Sequence, residues 1–266
     1  YPTVQAQLVN ELQKRSKLPL FIGMDLEWGL NMRLDSTVRF PYQMTLGAMQ
    51  GNDALIEKMG FQIAQQCKRI GVHINYAPVV DVNNNPVNPV INFRSFGENR
   101  DLVTQKALAY MRGLQKGGII TSAKHFPGHG DTGVDSHYDI PVLQHTRNRL
   151  DILELFPYKE LISKGLQGIM VGHLSIPSLD STASLASTMS KPIVTGLLRD
   201  EMKFDGLVFT DAMDMKGATK MFPEGTKDET VEGRGRVGAG DGRGEWGGIT
   251  RQESTSQLLQ RRTLRD

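Results

Sequence analysis

Along the chain, unbroken apolar runs alternate with longer segments whose apolar residues recur at helical spacing. The runs are LPLFIGMDLEWG from Leu18, VHINYAPVVD from Val72, GIITSAKHF from Gly118, GIMVGHLSI from Gly168 and GLVFTDAMDM from Gly206. Continuous runs of this kind belong to strands covered on both faces, as in parallel sheets. Asp53 to Arg69 predicts a helix capped by Asn52, with Leu55, Ile56, Met59, Ile63 and Cys67 on its apolar face. Asp101 to Lys116 predicts another. Arg147 to Lys164 carries Pro157, which predicts a kink or two shorter pieces. Pro192 to Phe204 places its proline early, where a missing N–H costs least. The opening YPTVQAQLVNELQ reads as the middle of a helix rather than a natural terminus. Alternation of strand and helix implies parallel strands joined by right-handed crossovers.

Each run ends on polar residues: Asp25, Asp81, Lys124 with His125, His173 and Asp211. A (β/α)8 barrel gathers its active site at that edge, and a doubly wound open sheet does the same. The pattern admits both. Between Asp81 and the next helix, NNNPVNPVINFRSFGENRD is too long for a mere connection and predicts a functional loop. The densest chemistry lies in TSAKHFPGHGDTGVDSHYDIP, Thr121 to Pro141. A polar surface loop rich in turn residues is the plain alternative. The order favours function: buried strand, cation, glycine and proline turns, then Asp135 and His137. Charged groups are poor core material, and loops on a rigid scaffold carry chemistry.

Composition narrows the classes. The 266 residues are 39% hydrophobic with a net charge of +2, which points to neither nucleic acid nor an anionic membrane as partner. One cysteine, Cys67, excludes an internal disulfide and a multi-cysteine metal site. No run approaches the roughly 20 apolar residues of a membrane span.

The segment KHFPGHGDTGVDSH closely resembles the signature of glycoside hydrolase family 3, in its NagZ-like β-N-acetylglucosaminidase branch. The resemblance runs from about Leu18 to Phe222. It implies an α/β fold of the (β/α)8 TIM-barrel type, here incomplete with about five β/α units, and removal of terminal β-linked N-acetylglucosamine with retention of configuration. It also implies a small carbohydrate substrate (an N-acetylglucosamine-containing glycoside or muropeptide), no cofactor, no metal and a bacterial source, with the compartment, cytoplasm or periplasm, left open. A β-glucosidase, an N-acetylglucosamine phosphorylase of the same family, or a sugar-binding fragment without turnover are the alternatives.

Retaining hydrolysis needs a group that attacks the anomeric carbon and a second that protonates the leaving oxygen. Asp211 ends a buried strand, which would fix it for attack, and Thr210-Asp211-Ala212 falls on the family's nucleophile motif. Asp214 is its local rival, and a capping aspartate at a strand-to-helix turn is the structural alternative. His137 matches the family's acid/base; an imidazole suits the task because its ordinary pKa, about 6.5, lies near neutrality. Asp135 would orient the ring. By the same matching, Asp25, Arg33, Arg94, Lys124 and His125 contact the sugar. Trp28 stands where the branch often has glycine, and either stacks on a sugar or packs. His129, Asp131, Asp135 and His137 lack the helical or strand-fixed spacing of a metal site.

After Phe222 the pattern fails. Residues 223–266 hold nine glycines between Gly225 and Gly248 and almost no apolar periodicity, which predicts a disordered or out-of-frame tail beyond a partial domain at 1–222. Five legible strands are fewer than a closed barrel requires. The domain is therefore expected to be incomplete at both ends, and not active by itself.

Overall fold

The structure is a computed structural model and describes residues 1–136, 139–215 and 218. Helix α1 (Pro2–Arg15) leads to strand β1 (Gly23–Met24), then the short helix α2 (Gln43–Gly47) and the long α3 (Asp53–Arg69). Strand β2 (Ile74–Asn75), helix α4 (Arg100–Lys116) and strand β3 (Ile120–Phe126) follow. Helices α5 (Arg147–Ile152) and α6 (Phe156–Ser163), strand β4 (Gly168–Val171), helix α7 (Pro192–Glu201, wound as a π-helix) and strand β5 (Leu207–Thr210) complete the order. The strands pair in parallel as β1-β2-β3-β4-β5, a curled half-barrel sheet with helices against it.

Strand alternation divides the core. On β4, Ile169 and Val171 join the main cluster with the helices, while Met170 faces a smaller cluster of Ile74, Tyr76 and Phe209. Helices α3 and α4 pack closely because glycines meet there. A Cβ on Gly113 would lie 2.1 Å from the Glu57 carbonyl oxygen, and one on Gly60 would lie 2.6 Å from that of Tyr110. Pro157 sits in the first turn of α6, so the predicted split into two pieces is what forms. Among the described residues no helix is long and apolar enough to cross a membrane.

Three expectations are corrected. The run from Leu18 enters the sheet only at Gly23, and Leu18 and Phe21 are exposed. The Gln13 side chain occupies both backbone groups of Leu20, each at 2.9 Å, so the ladder cannot begin earlier. Asn52 precedes α3 in a left-handed conformation (φ 60°) without a side-chain capping bond. The Asp53 carboxylate binds Lys106 and Gln105 of α4 instead, at 2.7 and 2.6 Å. Leu55 is exposed, one residue off the face that Ile56, Met59 and Ile63 bury. The 223–266 tail lies outside the described residues.

Candidate active site

Although β1 ends after Met24, the chain beyond it stays fixed. The Asn75 side chain bonds both the N–H and the C=O of Leu26 at 3.1 Å, and Tyr110 Oη donates to the Glu27 carbonyl at 2.9 Å. This brings Asp25 and Glu27 to the end of β3. There Lys124 Nζ stands 2.7 Å from Asp25 Oδ1 and 2.8 Å from Glu27 Oε1. Asp25 Oδ2 accepts from Arg33 Nη2 at 2.9 Å. Arg94 forks onto Glu27, with Nη2–Oε1 at 2.7 Å and Nε–Oε2 at 3.1 Å. Its Nη2 also lies 3.3 Å from His125 Nε2, and His125 Nδ1 is 2.7 Å from Asp81 Oδ2. An arginine N–H can only donate, so Nε2 accepts and the proton sits on Nδ1, donated to Asp81.

The network therefore sets the carboxylates Asp25, Glu27 and Asp81 against the cations Arg33, Arg94 and Lys124, with His125 bridging Arg94 and Asp81. Burial opposes charge on all three carboxylates, yet their partners prevail. Lys124 and Arg33 keep Asp25 below its ordinary pKa, and Arg94 and Lys124 hold Glu27 far below it. His125 and the His129 N–H do the same for Asp81. Burial would depress the Lys124 ammonium, but Asp25 and Glu27 raise it. Such pairs persist only when fully partnered. Arg33 is exposed and Asp25 and Arg94 partly so, while Lys124 and His125 lie buried beneath them.

The loop after β3 is held from below. The long segment after Asp81 supplies Asn88, whose Nδ2 donates to the carbonyls of His129 and Gly130 at 2.8 and 3.1 Å. Only glycine fits at 130, since a Cβ there would stand 1.9 Å from the Val82 carbonyl oxygen. The His129 N–H donates to Asp81 Oδ1 at 2.7 Å. Its buried ring meets the Thr132 hydroxyl at 2.6 Å and Ser136 Oγ at 3.3 Å, and burial pushes its pKa down to about 4. Asp131 turns away to His145 Nε2 at 2.9 Å. Asp135 is partly buried on the same loop, its carbonyl accepting from the Asp139 N–H at 3.2 Å. His137 lies outside the described residues.

Asp211 follows β5 directly and is partly exposed, and β5 is not the buried strand expected, since Leu207 is exposed and only Phe209 of Leu207–Thr210 is buried. Its N–H donates to the Val171 carbonyl at 2.9 Å, and its Oδ1 accepts from the Ala212 N–H at 2.8 Å. The residue after Val171 is Gly172, where a Cβ would lie 3.2 Å from His125 Cβ. The end of β4 thus lies between Asp211 and the side chain of His125. Trp28 packs, edge-on to Tyr42 at 4.8 Å and 6.2 Å from Phe93.

The family resemblance puts Asp25, Arg33, Arg94, Lys124 and His125 on the sugar, and the fold links them into one network through Glu27. Sequence reasoning passed over Glu27 and Asp81 as partners of these cations and of His125. Both stand at run ends, and the Asp25-x-Glu27 spacing in extended chain was the available signal.

Beta-hexosaminidase A of Pseudoalteromonas piscicida is 39% identical over 234 residues, which are 83% of this chain and 39% of that protein. A glycoside hydrolase family 3 β-N-acetylglucosaminidase from Paenibacillus sp. str. FPU-7 superposes with a TM-score of 0.77 at 37% identity, over 83% of this chain and 43% of that one. A β-glucoside phosphorylase superposes with a TM-score of 0.79 at 28% identity, over 84% and 42%. The chain spans about two fifths of the length of each of these relatives. The model of the glycosyl hydrolase family 3 N-terminal domain matches residues 2–233, and the chain belongs to that family.

Proposed function

We propose that residues 1–222 carry the catalytic site of a retaining β-N-acetylglucosaminidase acting on terminal β-linked N-acetylglucosamine, in a glycoside or muropeptide. The observation that carries this reading is that the end of β4 holds Asp211 beside the strand end that bears His125 and the charge network. Sugar hydroxyls need charged groups in a preformed cleft, and Asp25, Arg33 and Arg94 present such groups, braced by Lys124 and His125. In the first step the Asp211 carboxylate attacks the anomeric carbon while His137, oriented by Asp135, gives its proton to the departing oxygen. In the second, His137 takes a proton from water as that water attacks the same carbon and frees Asp211. The relatives named β-hexosaminidase and β-N-acetylglucosaminidase support the choice of sugar.

One observation favours a second acceptor. A structural neighbour is a β-glucoside phosphorylase, in which phosphate is the co-substrate that its name requires. The test measures nitrophenol release from the aryl glycosides of N-acetylglucosamine and glucose, with and without phosphate, on the product of the full reading frame. Free N-acetylglucosamine at a phosphate-independent rate is the expected product. A sugar 1-phosphate would establish the phosphorylase reading, preference for glucose would overturn the substrate, and binding without turnover would leave a sugar-binding domain.

A further inference from the structure

His173 is fully buried just beyond β4, and neither sugar recognition nor acid/base chemistry uses it. Its Nε2 lies 3.0 Å from the carbonyl oxygen of Ala212, the residue that follows Asp211. Its Nδ1 lies 2.9 Å from Thr188 Oγ1. A carbonyl can only accept, so Nε2 carries the proton, and in the neutral ring Nδ1 accepts from the Thr188 hydroxyl. The short turn Ser187–Met189 that presents Thr188 is itself stitched to the strand end. Ser187 Oγ donates to the Gly172 carbonyl at 2.6 Å and accepts from the Leu174 N–H at 3.1 Å, and the Ser187 N–H donates to the Leu174 carbonyl at 2.7 Å.

These bonds converge on the two residues that aim the carboxylate. The Asp211 N–H is fixed by Val171 on β4, and the Ala212 N–H holds Asp211 Oδ1. His173 fixes the Ala212 carbonyl, and with it the orientation of the turn that bears that N–H. We infer that His173 is a positioning residue for Asp211: through Thr188 and the Ala212 carbonyl it sets the direction from which the carboxylate meets the anomeric carbon. The inference rests on the reading of Asp211 as nucleophile. Displacement of a reacting group by about 1 Å costs on the order of 10²-fold in rate, so the loss should appear in the bond-forming step.

A 5-fluoro N-acetylglucosaminyl fluoride isolates that step. The Asp211 carboxylate forms an ester bond to the anomeric carbon as the carbon–fluorine bond breaks and fluoride departs, a leaving group that needs no protonation. Labelling is timed on the full-reading-frame protein, and the modified peptide is identified by mass. In the wild type the label should sit on Asp211. His173→Leu should lower the maximal labelling rate about 10²-fold, with little change in the concentration giving half-maximal rate. His173→Gln, which can return an N–H to the Ala212 carbonyl, should recover most of it. A general structural defect would instead shift the half-saturation point and the melting temperature in both variants. If His173→Leu does not fold, Thr188→Val supplies the second arm, with an expected slowing of about tenfold from a ring freed to turn, on the scale of one lost hydrogen bond. Labelling at the wild-type rate in either folded variant, or a Gln variant as slow as Leu, overturns the role of His173. A label on Asp214, or none, overturns the nucleophile reading and the inference with it.

Discussion

At the ends of β1 and β3, Lys124 is sealed between Asp25 and Glu27, while at the end of β5 Asp211 is held mainly by backbone. Among the described residues, no cation forms an ion pair with Asp211. Charge positions one half of the site, and neutral hydrogen bonds position the other. On the proposed mechanism the difference is chemical. A carboxylate that must bond to carbon needs an accessible charge, whereas a carboxylate that shapes a cleft can be neutralised by its neighbours without loss. Deletions on the two sides should therefore fail differently, one in rate and one in stability.

The largest effect is expected at Asp211. Asp211→Asn keeps the shape and an acceptor for the Ala212 N–H but removes the charge to which the proposed mechanism assigns the attack. Turnover of an aryl N-acetylglucosaminide should drop by about four orders of magnitude or more, while the urea midpoint stays close to wild type. A large stability loss would mean that Asp211 belongs to the charged half after all.

Glu27 is the counterpart. It is buried under Arg94 and Lys124, so Glu27→Gln leaves two cations short of their partner. Breaking a buried pair in this way costs about 3–5 kcal/mol, read as a lowered urea midpoint. A cost below about 1 kcal/mol would mean that water already screens the pair as at a surface.

How much of this was legible in sequence follows the same division. The α3 boundaries, the split at Pro157 and the strand ending in Lys124-His125 depend on local period and backbone chemistry, and the structure reproduces them. The pairings are not local. Glu27 and Arg94 stand 67 residues apart and Asp25 and Lys124 stand 99 apart, so no spacing rule reveals which charge meets which. The family resemblance supplied Arg94 and Lys124 by position, but not the carboxylate that binds both. Asn52 has the propensity for a side-chain cap at a helix start, and only the left-handed backbone excludes it. Leu18 and Phe21 look like strand because apolar character does not disclose that Gln13 takes the backbone groups of Leu20.

Acid separates the two halves further. His129 folds neutral, with a pKa of about 4 against an ordinary 6.5, so the unfolded chain binds the proton first. Stability should fall as pH drops through that window, by roughly 3 kcal/mol in all, and this loss ends near pH 4. Asp25, Glu27 and Asp81 are shifted downward, so their contribution stays intact above the ordinary carboxylate range and is lost only below it. Urea midpoints at successive pH values should show both losses in the wild type. His129→Gln should flatten only the upper one. A variant whose curve runs parallel to wild type would assign the upper loss to another group.

The smallest effect is expected at Asp214, which tests whether strand-end placement matters at all. It lies three residues beyond Asp211 and is exposed, past the end of β5. Its carboxylate chemistry is the same as that of Asp211, and only its support differs. Exposed substitutions away from caps and networks usually change stability by within about 0.5 kcal/mol, and an unsupported carboxylate has no fixed approach to the anomeric carbon. Asp214→Asn should therefore leave turnover within about twofold of wild type and the urea midpoint unchanged, measured beside Asp211→Asn on the same aryl glycoside. If both variants lose activity together, a charge shared across the turn is the working unit, and the contrast drawn from β5 does not hold. If only Asp211→Asn does, the backbone bonds to Val171 and Ala212 are what distinguish two otherwise equivalent aspartates.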